Sequence, residues 1–197
     1  MKAAAIMLIA AGIVVMFYPF LNHLYAAQKE KELMQEWETG QMDAARESFI
    51  KLDEVYREKE QEEKDTQSGS PIGMLTIDKI DLTLPILDGA DQANLRVAAG
   101  KLEGTDHLEA KTGNTAIAAH RSYTYGKQFN RLDEVEVGDE IIVHSTNNKK
   151  TYTVFNKIVV EPTDVSVLES KAGEKMITLI TCEPIRKATH RLIVQAR

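Results

Sequence analysis

Uncharged apolar residues run unbroken from Ala3 to Leu21, AAAIMLIAAGIVVMFYPFL, nineteen positions preceded by Lys2. A helix rising about 1.5 Å per residue would carry that run nearly across a hydrocarbon layer of roughly 30 Å. The apolar centre of a cleaved signal peptide is shorter, about 7 to 15 residues. The pattern therefore predicts an uncleaved, single-pass membrane anchor over residues 1–27. Lys2 and the terminal amine favour a cytoplasmic N-terminus and place the rest of the chain outside the cell. From Gln28 to Gln67 the chain is rich in Glu, Lys, Gln and Ala, residues that propagate helix. Its apolar positions, Leu33 and Trp37, then Ala45, Phe49, Leu52 and Tyr56, recur every three or four residues within each group and form one helical stripe. Such a stripe is expected to rest on the following domain or on a neighbouring stalk. Thr66 to Pro71, TQSGSP, carries turn chemistry and ends the helix, so residues 28–69 read as a charged helical stalk and hinge.

After Pro71 the period shortens. GMLTI (Gly73 to Ile77), LTLPIL (Leu82 to Leu87), TAIAA (Thr115 to Ala119), EIIVHS (Glu140 to Ser145), TYTVFNKIVV (Thr151 to Val160), MITLITC (Met176 to Cys182) and HRLIVQA (His190 to Ala196) are short β-type runs between turn signals. Seven or eight such strands predict a mostly β domain over residues 70–197, a closed barrel or a sandwich. Asn147 and Asn148 mark a hairpin tip, and Asn94 to Ala99 and Lys127 to Leu132 read as short interrupting helices.

A chain of 197 residues holds one core with attachments. Its net charge of −6 is matched by the stalk alone, where seven Lys or Arg face thirteen Asp or Glu, 7 − 13 = −6. The remainder is close to neutral and has no basic stripe, which excludes a phosphate-tracking nucleic-acid binder. The single cysteine, Cys182, rules out an intrachain disulfide and leaves a lone thiol to explain. It can be a small buried hydrophobe or a nucleophile.

Cys182 ends a strand and precedes the polar connection EPIRKATH; His120 ends TAIAA and precedes RSYTYG. Two such strand ends could meet at one barrel rim, where imidazole can take the thiol proton and later deliver one to a leaving amine. Arg191 opens the last strand directly after that connection. If the two strands pair in antiparallel fashion, its guanidinium lies near Cys182 and could hold a substrate carbonyl or oxyanion; otherwise it is an ordinary surface arginine. His190 is the rival to His120, but neighbouring strand residues point to opposite faces, so His190 and Arg191 would not both aim at Cys182. His23, His107 and His144 are less well placed.

TLITC (Thr178 to Cys182), Arg191 within THRLIV and the upstream AAHR (Ala118 to Arg121) together resemble the signature of the sortases, over residues of about 72 to 197. The resemblance implies a closed eight-stranded sortase-type β-barrel with short helices behind a transmembrane helix and stalk. It implies a cysteine transpeptidase that cuts a Leu-Pro-X-Thr-Gly-like or Leu-Pro-X-Thr-Ala-like sorting signal after Thr. The acyl fragment then passes from a Cys182 thioester to an amine of the peptidoglycan precursor or of a pilin. Cys182 would be the nucleophile, His120 the general acid or base, and Arg191 the group that orients the signal and stabilises the oxyanion. Ala118 and Thr181, inside the two motifs, and Val165, Val167 and Leu168, in the long connection Glu161 to Glu174, would contact the signal, with a lid over the core as the alternative role of the last three. The implied partners are a surface protein as donor, the wall amine as acceptor, and the membrane. No cofactor or metal is required, although some relatives use calcium as an activator. An Asp-Pro-aromatic lid motif and a second hydrophobic segment, usual in pilin-polymerising members, are missing from the sequence, which points to a housekeeping-type or class D-like enzyme, the class D-like one favoured. A cysteine peptidase that releases the same fragment to water, and a non-enzymatic tethered barrel that binds the wall, are the competing readings.

Overall fold

Eight strands close on themselves in the order β1-β2-β3-β4-β7-β8-β6-β5. They are β1 (Gly73–Ile77), β2 (Leu82–Asp88), β3 (Ala99–Lys101), β4 (Gly113–Ala118), β5 (Glu140–Ser145), β6 (Lys149–Val160), β7 (Lys175–Glu183) and β8 (His190–Ala196). The computed structural model describes residues 42–56, 70–169, 173–185 and 187–197. The expected anchor over residues 1–27 and most of the expected stalk lie outside the described residues. Among the described residues, no helix is long and apolar enough to cross a membrane.

The seven strands expected from the sequence all form, three of them with the expected bounds. The eighth, β3, has the sequence Ala-Gly-Lys, too short to show an alternation. Gly100 is needed there because a Cβ would run into the backbone of Gly89 and Ala90. The helix expected at Asn94 to Ala99 forms instead as α2 (Gln92–Val97), capped by Asp91, whose side chain accepts from Asn94 N–H at 2.9 Å. Ala99 belongs to β3. The second expected helix is largely turns, with a 3-10 turn only at Leu132–Glu134. The hairpin at Asn147 and Asn148 is present, closed by Ser145 N–H donating to Asn148 C=O at 2.8 Å.

Residues 42–56 are helical (α1). Their stripe does rest on the barrel: Ala45, Phe49 and Leu52 are each no more than 2% exposed. Two apolar clusters result. One fills the barrel and includes Leu75, Ile77, Ile117, Ile141, Ile177 and Leu179. The other lies outside the wall, where α1 and the 3-10 turn Val165–Leu168 cover Ala116, Ala118, Ile180 and Ile193. This two-sided burial explains why β7 is buried at every position except Glu183, where a strand with one wet face would alternate.

Candidate active site

The parallel pair β4–β7 and the antiparallel pair β7–β8 set three rows across the covered outer face. Ala116, Thr178 and Gln195 align in one row, and Ala118, Ile180 and Ile193 in the next. Cys182 aligns with Arg191 in the third. Continuing the β4–β7 register two residues beyond Ala118 and Ile180 brings His120 level with Cys182. Since alternate strand residues share a face, the three groups point to the same side of the sheet. Ala119 N–H, donating to Ile180 C=O at 3.1 Å, holds the strand end in this register.

Polar side chains beyond the apolar middle row, Asn114, Thr178 and Gln195, fix the turn above it. Asn114 Nδ2 donates to the carbonyls of Val167 (3.2 Å) and Leu168 (3.1 Å), Gln195 Nε2 donates to Val167 C=O at 3.0 Å, and Thr178 Oγ1 donates to Asn114 Oδ1 at 2.9 Å. This base of the connection after β6 is therefore anchored. Val167 and Leu168 are buried, and Val165 packs against the same cluster. Ala118 lies in the apolar middle row. Thr181 faces the barrel interior instead, its hydroxyl donating to Ala119 C=O at 2.8 Å. It braces the two strand ends from behind.

Arg191 is 1% exposed, so the surface reading of this residue is replaced by a buried one. Its Nη1 donates to Ala188 C=O (3.1 Å) and His190 C=O (2.9 Å), and its Nη2 to Asp53 Oδ1 of α1 (2.6 Å). Its Nε is buried and has no hydrogen-bond partner among the described residues. Cys182 is 6% exposed, and burial pushes its thiol up to about 12, partly offset by the charge of Arg191. Arg121, next to His120, is buried between Glu183, next to Cys182, and Asp133 at 3.0 Å. This clamp ties the two strand ends together. His190 turns away and meets Glu161 at 3.1 Å. His107 contributes its carbonyl to Lys175 Nζ at 2.8 Å, and His144 lies on β5. Sequence reading did not find Asp53 and Tyr56. The Tyr56 ring meets the His120 ring edge to face at 5.4 Å, the Arg191 guanidinium lies 5.0 Å from its centroid, and its hydroxyl is shared between Ala119 C=O (3.3 Å) and Ile180 C=O (3.4 Å). The only sequence signal was the stripe itself.

A nucleophilic thiol, an imidazole and a guanidinium on one row, next to the apolar row of Ala118, Ile180 and Ile193, suit acyl transfer through a thioester. The sortase domain family model matches residues 75–197, which span all of this geometry. The chain belongs to the sortase family. Sortases are cysteine transpeptidases, and so is this enzyme. It is similar over most of its length to sortase A of Bacillus anthracis, 27% identical over 96% of this chain and 90% of that protein. It is also similar to sortase D of Bacillus subtilis, 23% identical over 100% and 98% of the two chains. Among solved structures, the pilus-related sortase C of Group B Streptococcus superposes with a TM-score of 0.64 at 28% identity, over 81% of this chain and 88% of that one. Sortase C1 from Streptococcus suis gives 0.62 at 29%, over 76% of each. The eight-stranded sortase barrel is the fold, and the likeness to sortase D agrees with a class D-like enzyme.

Proposed function

We propose that this sortase cleaves a Leu-Pro-X-Thr-Gly-like or Leu-Pro-X-Thr-Ala-like signal after Thr and transfers the acyl fragment to an amine of a wall precursor or a pilin. The observation that carries this reading is the shared row of Cys182, Arg191 and the end of β4 at His120. Cys182 Sγ attacks the threonyl carbonyl carbon while His120 takes the thiol proton. Arg191 donates to the oxygen as it becomes an oxyanion. The C–N bond then breaks, His120 returns the proton to the leaving amine, and a thioester remains on Cys182. An incoming amine attacks that thioester, and the displaced thiolate recovers a proton from the imidazolium formed as the amine adds.

The apolar row of Ala118, Ile180 and Ile193 leads to this point and suits the Leu-Pro end of the signal, with Val165, Val167 and Leu168 at its border. The enzyme acts outside the cell, held by a single-pass anchor over residues 1–27 with a cytoplasmic N-terminus; the uncharged run of Ala3 to Leu21 supports this placement. None of these steps calls on a cofactor. Mass spectrometry of the enzyme incubated with signal peptides that differ after Thr tests the reading. A thioacyl adduct on Cys182, resolved to a new amide by an added amine, is expected. An adduct that yields only free Thr-ended peptide would make the enzyme a hydrolase, and no adduct with any peptide would remove the acyl-transfer reading.

A further inference from the structure

Three lysines meet at the end of the barrel opposite the catalytic row. Lys175 opens β7, two residues ahead of Ile177; Lys150 pairs with Val143 across β5 and β6, and Lys101 with Ile117 across β3 and β4. Ile177, Val143 and Ile117 belong to the interior cluster, and residues that pair across strands or lie two apart share a face, so all three side chains enter the barrel mouth. The connection between β3 and β4 floors this mouth: Leu108 packs against the interior cluster, and Glu109 accepts from Ser145 Oγ (2.8 Å) and Asn147 N–H (3.1 Å) at the β5–β6 hairpin. Lys175 and Lys101 are enclosed, 7% and 5% exposed, while Lys150 is half-buried. The charges here do not balance. Lys101 pairs with Asp88 at 3.2 Å. Lys175 Nζ donates to His107 C=O (2.8 Å) and Thr115 Oγ1 (2.6 Å) and has no ion pair among the described residues. Asp106 is the acid that acts on it, and one of its oxygens already accepts from Asn114 N–H at 2.8 Å. Lys150 lies over the Tyr152 ring, 4.9 Å from its centroid, also with no ion pair among the described residues. A chain with a net charge of −6 thus leaves two cations without carboxylate partners at one end of its barrel, where an unpaired charge is costly.

We propose that this mouth is a binding site for a small divalent oxyanion of the inorganic phosphate kind, held by the ammonium groups of Lys175 and Lys150 with Lys101 beside them. The two cations that lack carboxylates match the two charges of the anion. An ammonium carries three donors. Lys175 and Lys101 have each used two, Lys101 on Asp88 and on Leu102 C=O, and Lys150 has used none among the described residues, so donors remain on all three. Lysine binds phosphate as a compact point charge and needs no planar fork. Enclosure by the β3–β4 connection selects a free ion over a phosphate carried on a large molecule, and half-buried Lys150 leaves the way in. The state of Lys175 agrees with the seat. Burial pushes its ammonium down to about 8, Asp106 opposes this, and the charges of Lys150 and Lys101 add to it. A bound dianion counters both neighbours and returns the proton to Lys175. Tyr152 is raised to about 12 and stays neutral, and Glu174, next to Lys175, is engaged by Arg197 at 3.1 Å, so neither takes the place of the anion.

The test is calorimetric titration of the full chain with inorganic phosphate near pH 8.5, where phosphate is the dianion and Lys175 is largely unprotonated. Ionic strength is matched with sodium chloride, and two buffers of different ionisation heat are used. One phosphate per chain is expected, with uptake of part of a proton from the buffer. Lys150→Gln, at a half-buried position, should weaken Kd about tenfold or more, the loss of one charge-assisted contact. Lys175→Met should abolish the proton uptake. Melting curves follow the same proteins; phosphate stabilises many folds by exclusion from their surface, so only a gain that Lys150→Gln reduces belongs to the site. No saturable heat, or binding that Lys150→Gln leaves unchanged, would mean an adventitious ion only and would overturn the proposal. Binding that Lys150→Gln weakens but that takes up no proton would remove Lys175 from the site and overturn the seat described here.

Discussion

Lys175 and Cys182 occupy opposite ends of β7, and dehydration drives both toward their neutral forms. The Lys175 ammonium, enclosed with His107 C=O and Thr115 Oγ1 as acceptors, is pushed down to about 8. Between that value and its ordinary one near 10.4, the unfolded chain still holds a proton that the folded chain has released. Its contribution is therefore fully present above about 10.4 and is lost as pH falls toward 8. Lys175→Met should flatten the rise in stability seen by urea unfolding between pH 8 and 10, and an unchanged slope would mean that the ammonium is not dehydrated. Cys182 moves the other way, its thiol raised to about 12. Its alkylation rate should keep climbing about tenfold per pH unit through pH 9 and 10, where an open cysteine with a pKa near 8.5 levels off. A plateau near pH 9 would show that the thiol is solvated in the resting enzyme. At Arg191, Lys keeps the charge but not the fork that spans Ala188 C=O, His190 C=O and Asp53. Turnover by Arg191→Lys is expected to fall on the order of 100 to 1,000-fold. Near-normal kinetics in a folded variant would take Arg191 out of the mechanism.

Between elements, the clamp of Arg121 on Glu183 and Asp133 holds the exit of β4 against the exit of β7. Both carboxylates are partly exposed and can rehydrate, so Arg121→Met should cost about 1.5 to 3 kcal/mol, the range for hydrogen bonds to charged groups. It should also slow turnover beyond what that loss of stability accounts for, because His120 is then free to drift from the Cys182 row. Thermal melts combined with kcat measured well below the melting temperature would show this, and an unchanged kcat would make the clamp purely structural. The clamp was not legible beforehand, because Glu183 and Asp133 are unremarkable acids until the register brings them to Arg121. β1, β2, β5 and β6 keep a period of two over part of their length because one face is wet, whereas β4, β7 and β8, buried on both faces, were legible only as short apolar runs between turn signals. β3 was not: three residues around a glycine show no period, and only the close approach of Gly89 and Ala90 explains them. The Cys182–Arg191 pairing could be anticipated from one short connection between consecutive strands. The Tyr56–His120 contact could not, since a helical stripe states that it needs a surface and does not state which one.

For the molecule as a whole, two apolar clusters back onto the same wall of β4, β7 and β8, one inside the barrel and one beneath α1. The interior cluster is built entirely from residues after Ser70. The outer cluster decides what a truncation at that point should look like. A chain beginning at Ser70 loses Ala45, Phe49 and Leu52, and leaves Ala118, Ile180 and Ile193 facing water. Fully burying a large apolar side chain is worth about 1.5 to 3 kcal/mol, so losing Phe49 and Leu52 together is a considerable fraction of the stability of a domain of this size. The truncated enzyme should therefore melt several degrees lower than the full chain, aggregate more readily through the bared groove, and still turn over signal peptide. Its thiol should be alkylated faster at any one pH, since removing α1 takes away both the cover and the Asp53 carboxylate that, with burial, opposes ionisation of Cys182. Melting curves, alkylation and turnover on the same preparations separate the alternatives. An unchanged melting temperature would mean that α1 leaves the barrel readily in solution, and a well-folded but inert truncation would mean that α1 contributes to catalysis itself.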